Sequence, residues 1–133
     1  MSCKSLIYTA LTSPTAVLAG GTIPLGALIR RYGCALALSG DGIFATEAGY
    51  YNINTSVTVE ATAAGPITVS VLADGVQIPG ATATGTAAAA GDAVNLSITS
   101  VLRNCGCNCP KTLTVQLNAA GTVTNMALVV EKV

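Results

Sequence analysis

Three cysteines at every second position, in the segment RNCGCNCPK at residues 103–111, form the chain's densest group of side chains that could do chemistry. Alternate residues of an extended segment point the same way, so three sulfur atoms could face one side, and thiolates at this spacing occur in zinc sites. Three thiolates are one ligand short of a closed tetrahedral site. A complete site would need a further sulfur, from Cys3, from Cys34 or from another subunit.

This cysteine loop, defined by Cys105, Cys107 and Cys109, has three interpretations. We favour a tight loop whose thiols are reduced or incidentally oxidised, because the cytosol is reducing and five cysteines cannot all pair. A disulfide with Cys3 or Cys34 and a metal site are the alternatives. Apolar alternation stops near residue 102 and resumes near residue 113, which predicts that the loop closes a hairpin. We therefore expect no metal and no cofactor.

The rest of the chain offers little for catalysis. It contains no histidine, so no imidazole can activate a thiol. The six carboxylates are spread singly: Asp41, Glu47, Glu60, Asp74, Asp92 and Glu131. Asp41, Asp74 and Asp92 stand beside glycine, where hydrogen bonding to the local backbone is expected. The sequence predicts no catalytic residues and a protein that is not an enzyme.

The charge content argues for association. Charged residues make up 9% of the chain and the net charge is zero, whereas about 25% is usual for soluble domains. The longest basic cluster is the pair Arg30 and Arg31, so no basic stripe marks a nucleic-acid binder. A surface with so few charges tends to associate unless partners cover it. We expect oligomerisation and no nucleic-acid partner.

The first residues do not resemble an export signal. They carry a lysine, but Thr9, Thr12, Ser13 and Pro14 interrupt the apolar stretch. No other run approaches the roughly 20 apolar residues of a spanning helix. We expect synthesis in the cytoplasm without a signal peptide, and no membrane partner.

Alternation with a period of two predicts β-strands. It is clearest in YYNINTSVTVE, at residues 50–60, and it returns in VNLSIT and LTVQL. PITVSVL and NMALVVEKV are apolar on both sides, which indicates that both of their faces are covered. No segment has the apolar stripe of a helix. The fold class predicted is all-β.

Turn signals recur about every ten residues, as in sandwiches and barrels. The dipeptide Asp74-Gly75 predicts a tight type I′ hairpin. A chain of 133 residues is one domain that encloses a core without metals or disulfides. Residues 1–20 are either an N-terminal arm or the first strand, and residues 21–133 are the β-sandwich domain.

The order of these segments resembles the antiparallel jelly roll of tumour necrosis factor and the complement globular head. Gly49, Tyr50 and Tyr51 match the glycine-aromatic entry into a long central strand, and the segment MALVV matches the closing apolar strand. The chain is also similar to small prophage-encoded virion proteins and to C-terminal domains of bacterial collagen-like surface proteins. It lacks a Gly-X-Y stalk and is poor in aromatic residues.

The resemblance implies a homotrimer in which one sheet face of each subunit turns toward the threefold axis. We expect the trimer interface to include Tyr51, Met126, Ala127, Leu128, Val129 and Val130. The function predicted is that of a non-enzymatic structural protein on the surface of a bacteriophage virion, as a head decoration or head-fibre module that binds capsid or other virion proteins. The alternative is an adhesion or ligand-binding module on a bacterial spore or cell surface.

Overall fold

The computed structural model describes residues 4–33, 35–40, 42–104 and 111–132. Over these residues the chain forms β-strands and no helix. The strands are β1 (Leu6–Leu11), β2 (Thr15–Val17), β3 (Ala27–Tyr32), β4 (Leu36–Ser39), β5 (Gly42–Ala45), β6 (Gly49–Ala61), β7 (Gly65–Ala73), β8 (Val76–Ala87), β9 (Ala93–Asn104), β10 (Lys111–Leu117) and β11 (Gly121–Lys132).

Two antiparallel sheets make the sandwich. Sheet A has the order β3-β1-β11-β6-β9, with β2 added beside β11, and sheet B has the order β4-β5-β10-β7-β8. Strands that follow each other in sequence therefore often lie in different sheets, as in a jelly roll. The predicted all-β antiparallel sandwich is confirmed.

Alternation decides which side chains fill the core. In β6, Tyr51, Ile53, Val57 and Val59 point inward and are fully buried, while Asn52, Asn54, Ser56 and Thr58, at the alternate positions, face outward. The same period-two pattern places Val115 and Leu117 of β10 in the core from the opposite sheet. Apolar burial of this kind is the main term that stabilises the fold.

The hairpin between β7 and β8 has the turn that its sequence predicts. Ala73 pairs with Val76, which leaves a two-residue loop of Asp74 and Gly75. Both residues have positive φ, 51° and 82°, as a type I′ turn requires. The Asp74 carboxylate also accepts a hydrogen bond from the backbone N–H of Thr112, at 2.9 Å, and so ties the turn to β10.

Residues before the predicted boundary at 20/21 are part of the sandwich. β1 lies between β11 and β3 in sheet A, and β2 pairs with the start of β11. Of the two interpretations of residues 1–20, the described residues 4–20 favour the first strand, with Ile7 and Leu11 in the core.

The connection that carries the cysteine loop is not a hairpin, and that prediction is wrong. β9 is the edge strand of sheet A, whereas β10 lies inside sheet B. The chain therefore crosses from one sheet to the other between Asn104 and Lys111. Apolar alternation locates the two strands but carries no information on which sheet each one joins.

Candidate functional site: the outer face of sheet A

Four of the six residues predicted for the trimer interface lie in the chain's own core. Tyr51, Met126, Leu128 and Val130 are each at most 1% exposed and pack between the two sheets. They cannot contact another subunit, so their assignment to the interface is corrected. The alternation of β11 explains the division, because residues at every second position face the same side.

The other two predicted residues, Ala127 and Val129, lie on the outer face of sheet A. On this face Val129 is beside Tyr8 and Ala127 is beside Ala10, both of β1. Leu6 continues the row along β1, and all five side chains are half-buried. They form the apolar centre of this face, which also carries the exposed side chains of Tyr32 and Val101 on its edge strands β3 and β9.

The three β1 residues were missed at the level of sequence. The segment LIYTAL does alternate, but both of its sides are largely apolar. Period alone therefore does not separate Leu6, Tyr8 and Ala10, which face outward, from Ile7 and Leu11, which face the core.

Uncharged polar side chains flank this apolar centre on β6 and β9. Asn95 donates a hydrogen bond from Nδ2 to Thr58 Oγ1 at 2.9 Å, and Thr99 donates from Oγ1 to Asn54 Oδ1 at 3.2 Å. The donors and acceptors of neighbouring strands thus partly satisfy each other. Such side chains can be covered by a partner at less cost than charged ones, because less hydration is lost.

A shallow depression joins the two regions. It has a volume of about 300 Å³, and its lining includes Asn54, Ser56, Ser97, Thr99, Ala127 and Val129. Its lining is apolar on β11, at Ala127 and Val129, and mainly polar on β6 and β9. The arrangement can accept a flat, largely uncharged protein surface, and its described lining contains no carboxylate, amine or thiol.

Charged residues of this face lie at its borders. Arg30 is on the edge strand β3, opposite Tyr8, and Arg103 is near the end of the edge strand β9, opposite Tyr50. Glu131 lies at the end of β11, and Glu60 lies near the far end of β6. The centre of the face is free of charge among the described residues. The outer face of sheet A is therefore the candidate functional surface.

The predicted cysteine residues Cys105, Cys107 and Cys109 lie outside the described residues, as do Cys3 and Cys34. Their described neighbours meet at one end of the sandwich. Ala45 pairs with both Leu36 and Lys111, its carbonyl accepts a hydrogen bond from Asn104 Nδ2 at 2.8 Å, and Ser5 Oγ accepts one from the Ala35 N–H at 2.9 Å.

The described titratable side chains are not grouped into a reactive site. Across the ranges that the structure describes, His, Cys, Asp and Glu form no cluster of three that could hold a metal ion. Burial raises the pKa of Tyr51, whose hydroxyl donates a hydrogen bond to the Glu47 carbonyl at 2.7 Å. This phenol lies inside the core, where it fixes the entry to β6.

A search for membrane-spanning helices in the described part of the chain finds none with the necessary length and hydropathy.

No family model and no curated protein matches the sequence. Solved structures do match the fold. Murine APRIL superposes with a TM-score of 0.73 at 12% identity, over 98% of this chain and 99% of that one. The globular domain of zebrafish complement 1qA gives 0.67 at 9% identity, over 96% and 95%. The PRD1 vertex protein P5 gives 0.67 at 14% identity, over 100% and 99%. The predicted jelly roll of the tumour necrosis factor type is confirmed.

Proposed function

We propose that the chain is a non-enzymatic structural module that assembles as a homotrimer through the outer face of sheet A and serves on the surface of a bacteriophage virion, as a head decoration or head-fibre component. The observation that carries this proposal is the charge-free apolar centre of that face. Its five half-buried side chains belong to β1 and β11, two inner strands of the sheet.

Assembly accounts for the composition of the face. A sheet face that stays in contact with water usually carries charged side chains. The centre of this face instead carries five uncharged ones, those of Leu6, Tyr8, Ala10, Ala127 and Val129. A closed ring of three subunits is heterologous, so this face would contact a different surface of the next subunit. The number three comes from the family that the sequence resembles.

The virion role is supported by likeness of fold and by the absence of reactive groupings from the described residues. The PRD1 vertex protein P5, from a phage, shares the fold over the whole chain. A domain that offers strands and faces, and no catalytic constellation in its described part, acts through the surfaces that it presents. We propose capsid or other virion proteins as its partners.

Localisation tests this function directly. Purified particles would be probed with an antibody against the chain, alongside spores and cell walls of the same culture. We expect labelling on the outside of particles at constant stoichiometry after repeated density-gradient purification. Labelling of spores or cell walls, with none on particles, would contradict the virion role and leave the trimer to be tested separately.

A further inference from the structure

The zero net charge of the chain hides a strong separation of charge along the sandwich. We call the end where β1, β4, β6, β8 and β10 begin, and where β3, β5, β7, β9 and β11 finish, the basic end. All six basic residues lie in this half: Lys4, Arg30, Arg31, Arg103, Lys111 and Lys132. The strand register aligns them, since Leu6 pairs with Glu131 and with Tyr32, and Gly49 pairs with Asn104.

The opposite end carries no basic residue. Its connections between strands are built mainly from alanine, glycine and threonine, at residues 61–65, 87–93 and 117–121. Its described charges are acidic, Glu60 and Asp92. At the basic end, three acidic residues accompany the six basic ones: Glu47, Asp74 and Glu131. The molecule is therefore polar along the axis of the strands.

Three of the six basic side chains are exposed and make no ion pair or hydrogen bond with the described residues. Lys111 lies 3.7 Å from the Asp74 carboxylate, the one ion pair found over the described ranges. Arg31 donates from Nε to the Leu36 carbonyl at 2.8 Å, and Lys132 is buried. Lys4, Arg30 and Arg103 remain exposed, where a charge attracts an opposite charge at long range.

An apolar groove adjoins Arg103. It lies between the β7–β8 hairpin and the edge strand β9 and has a volume of about 400 Å³. Its lining includes Ile78, Pro79 and Leu102, together with Arg103 itself and the paired side chains of Asp74 and Lys111. Two apolar side chains stand at its margin with high exposure, Val76 at 71% and Val101 at 52%. Such exposure of branched apolar side chains beside a free cation marks a surface that gains from being covered.

We propose that the groove and Arg103 form a docking site for an acidic segment of another protein, in which an apolar side chain enters the groove and a carboxylate pairs with Arg103. This inference rests on the proposed structural role and deepens it by naming the chemistry of the partner. Arginine suits the contact because its planar guanidinium can hold a carboxylate with two parallel hydrogen bonds.

A protein segment fits better than a polyanion such as nucleic acid or a sulfated polysaccharide. A polyanion needs a continuous basic track, whereas Asp74 and Glu131 interrupt this one. The proposed contact needs only one carboxylate at Arg103, because Asp74 is already paired with Lys111. The apolar side chains of the groove also make no favourable contact with phosphate or sulfate groups. An acidic peptide with one apolar residue uses both features.

The test uses the full chain and four probes: a Glu-rich nonapeptide with a central Leu, the same peptide without the Leu, its Lys-rich counterpart with the Leu, and heparin. Binding would be measured by calorimetry at low salt and mapped by NMR. We expect the Glu/Leu peptide to bind at least about tenfold more tightly than the other three, weakening with salt, and to shift the signals of Val76 and Val101.

Two variants of equal net charge localise the site. Arg103→Ser should weaken binding of the Glu/Leu peptide about tenfold, whereas Ala63→Glu, at the opposite end, should leave it unchanged. Equal weakening by both variants, no binding of the peptide, or tighter binding of heparin would overturn the proposal.

The mass of each variant is measured in parallel, so a lost trimer, which bears on the proposed function, is told apart from a lost docking site. Loss of the trimer in Val76→Ser would also overturn the docking site, because the groove would then belong to a subunit contact.

Discussion

At the scale of single residues, two buried threonines of sheet A differ in whether their hydroxyls are satisfied. Thr9 and Thr55 lie in one row, on either side of Leu128. Thr55 Oγ1 donates a hydrogen bond to the Ala127 carbonyl at 3.0 Å. Thr9 Oγ1 is fully buried and has no partner among the described residues. A buried hydroxyl without a partner is destabilising.

Valine substitutions at these positions should therefore have opposite effects. We expect Thr9→Val to raise the free energy of unfolding by about 1 kcal/mol, and Thr55→Val to lower it by about as much. Urea denaturation at one fixed protein concentration measures both, since assembly makes stability depend on concentration. A destabilised Thr9→Val would mean that its hydroxyl has a partner.

The buried phenol of Tyr51 predicts a dependence on alkaline pH. Because burial raises its pKa in the folded chain, the unfolded chain loses this proton at a lower pH. The contribution of Tyr51 to stability is complete below the ordinary tyrosine pKa of about 10 and is lost as pH rises through the folded value.

Tyr51→Phe should lower stability at neutral pH by about 1 kcal/mol, because it removes the hydrogen bond to the Glu47 carbonyl. It should also reduce the loss of stability above about pH 10. Thermal unfolding followed from pH 7 to 11 measures both effects. An unchanged alkaline slope would show that Tyr51 does not titrate as its burial implies.

At the scale of elements, alternation predicted the strands whose two sides differ in polarity. β6 and the hairpin turn of Asp74 and Gly75 are of this kind. β1 remained ambiguous because LIYTAL is apolar on both sides, one facing the core and the other the outer face. The sheet to which β10 belongs was not predictable, since it depends on pairing between distant residues.

The position of β1 between β3 and β11 predicts that it is indispensable. Deleting residues 2–19 removes the partner of β3 and takes Ile7, Leu11 and Val17 from the core. We expect insoluble protein without a cooperative unfolding transition. A soluble, folded product that no longer joins particles would instead identify these residues as an anchoring arm.

The cysteine loop is expected to be dispensable for folding. The core of the described chain contains no cysteine, so changing Cys105, Cys107 and Cys109 together to serine should shift the thermal midpoint little, and a chelator should have no effect on the natural chain. About one zinc per chain or per trimer in elemental analysis, with a lower midpoint after chelation, would favour the metal interpretation.

At the scale of the whole molecule, the surfaces were less predictable than the core. The basic residues are scattered from position 4 to position 132, and only the jelly-roll connections bring them to one end. In the same way, β1 and β11 are the first and last strands, yet they form one apolar centre. Composition favours association, but the face proposed for it can be identified only from the fold.

The mass of the assembly in solution tests the central claim most directly. Size-exclusion chromatography with light scattering should give three times the 13.2 kDa of one chain at micromolar concentration. Val129→Asp places a charge in the centre of the outer face and should yield a folded monomer, because burying an unpaired charge costs several kcal/mol. The matched control Val76→Asp, at the exposed first residue of β8, should remain a trimer. A natural chain that is monomeric, or a Val129→Asp variant that is still trimeric, would contradict assembly through this face.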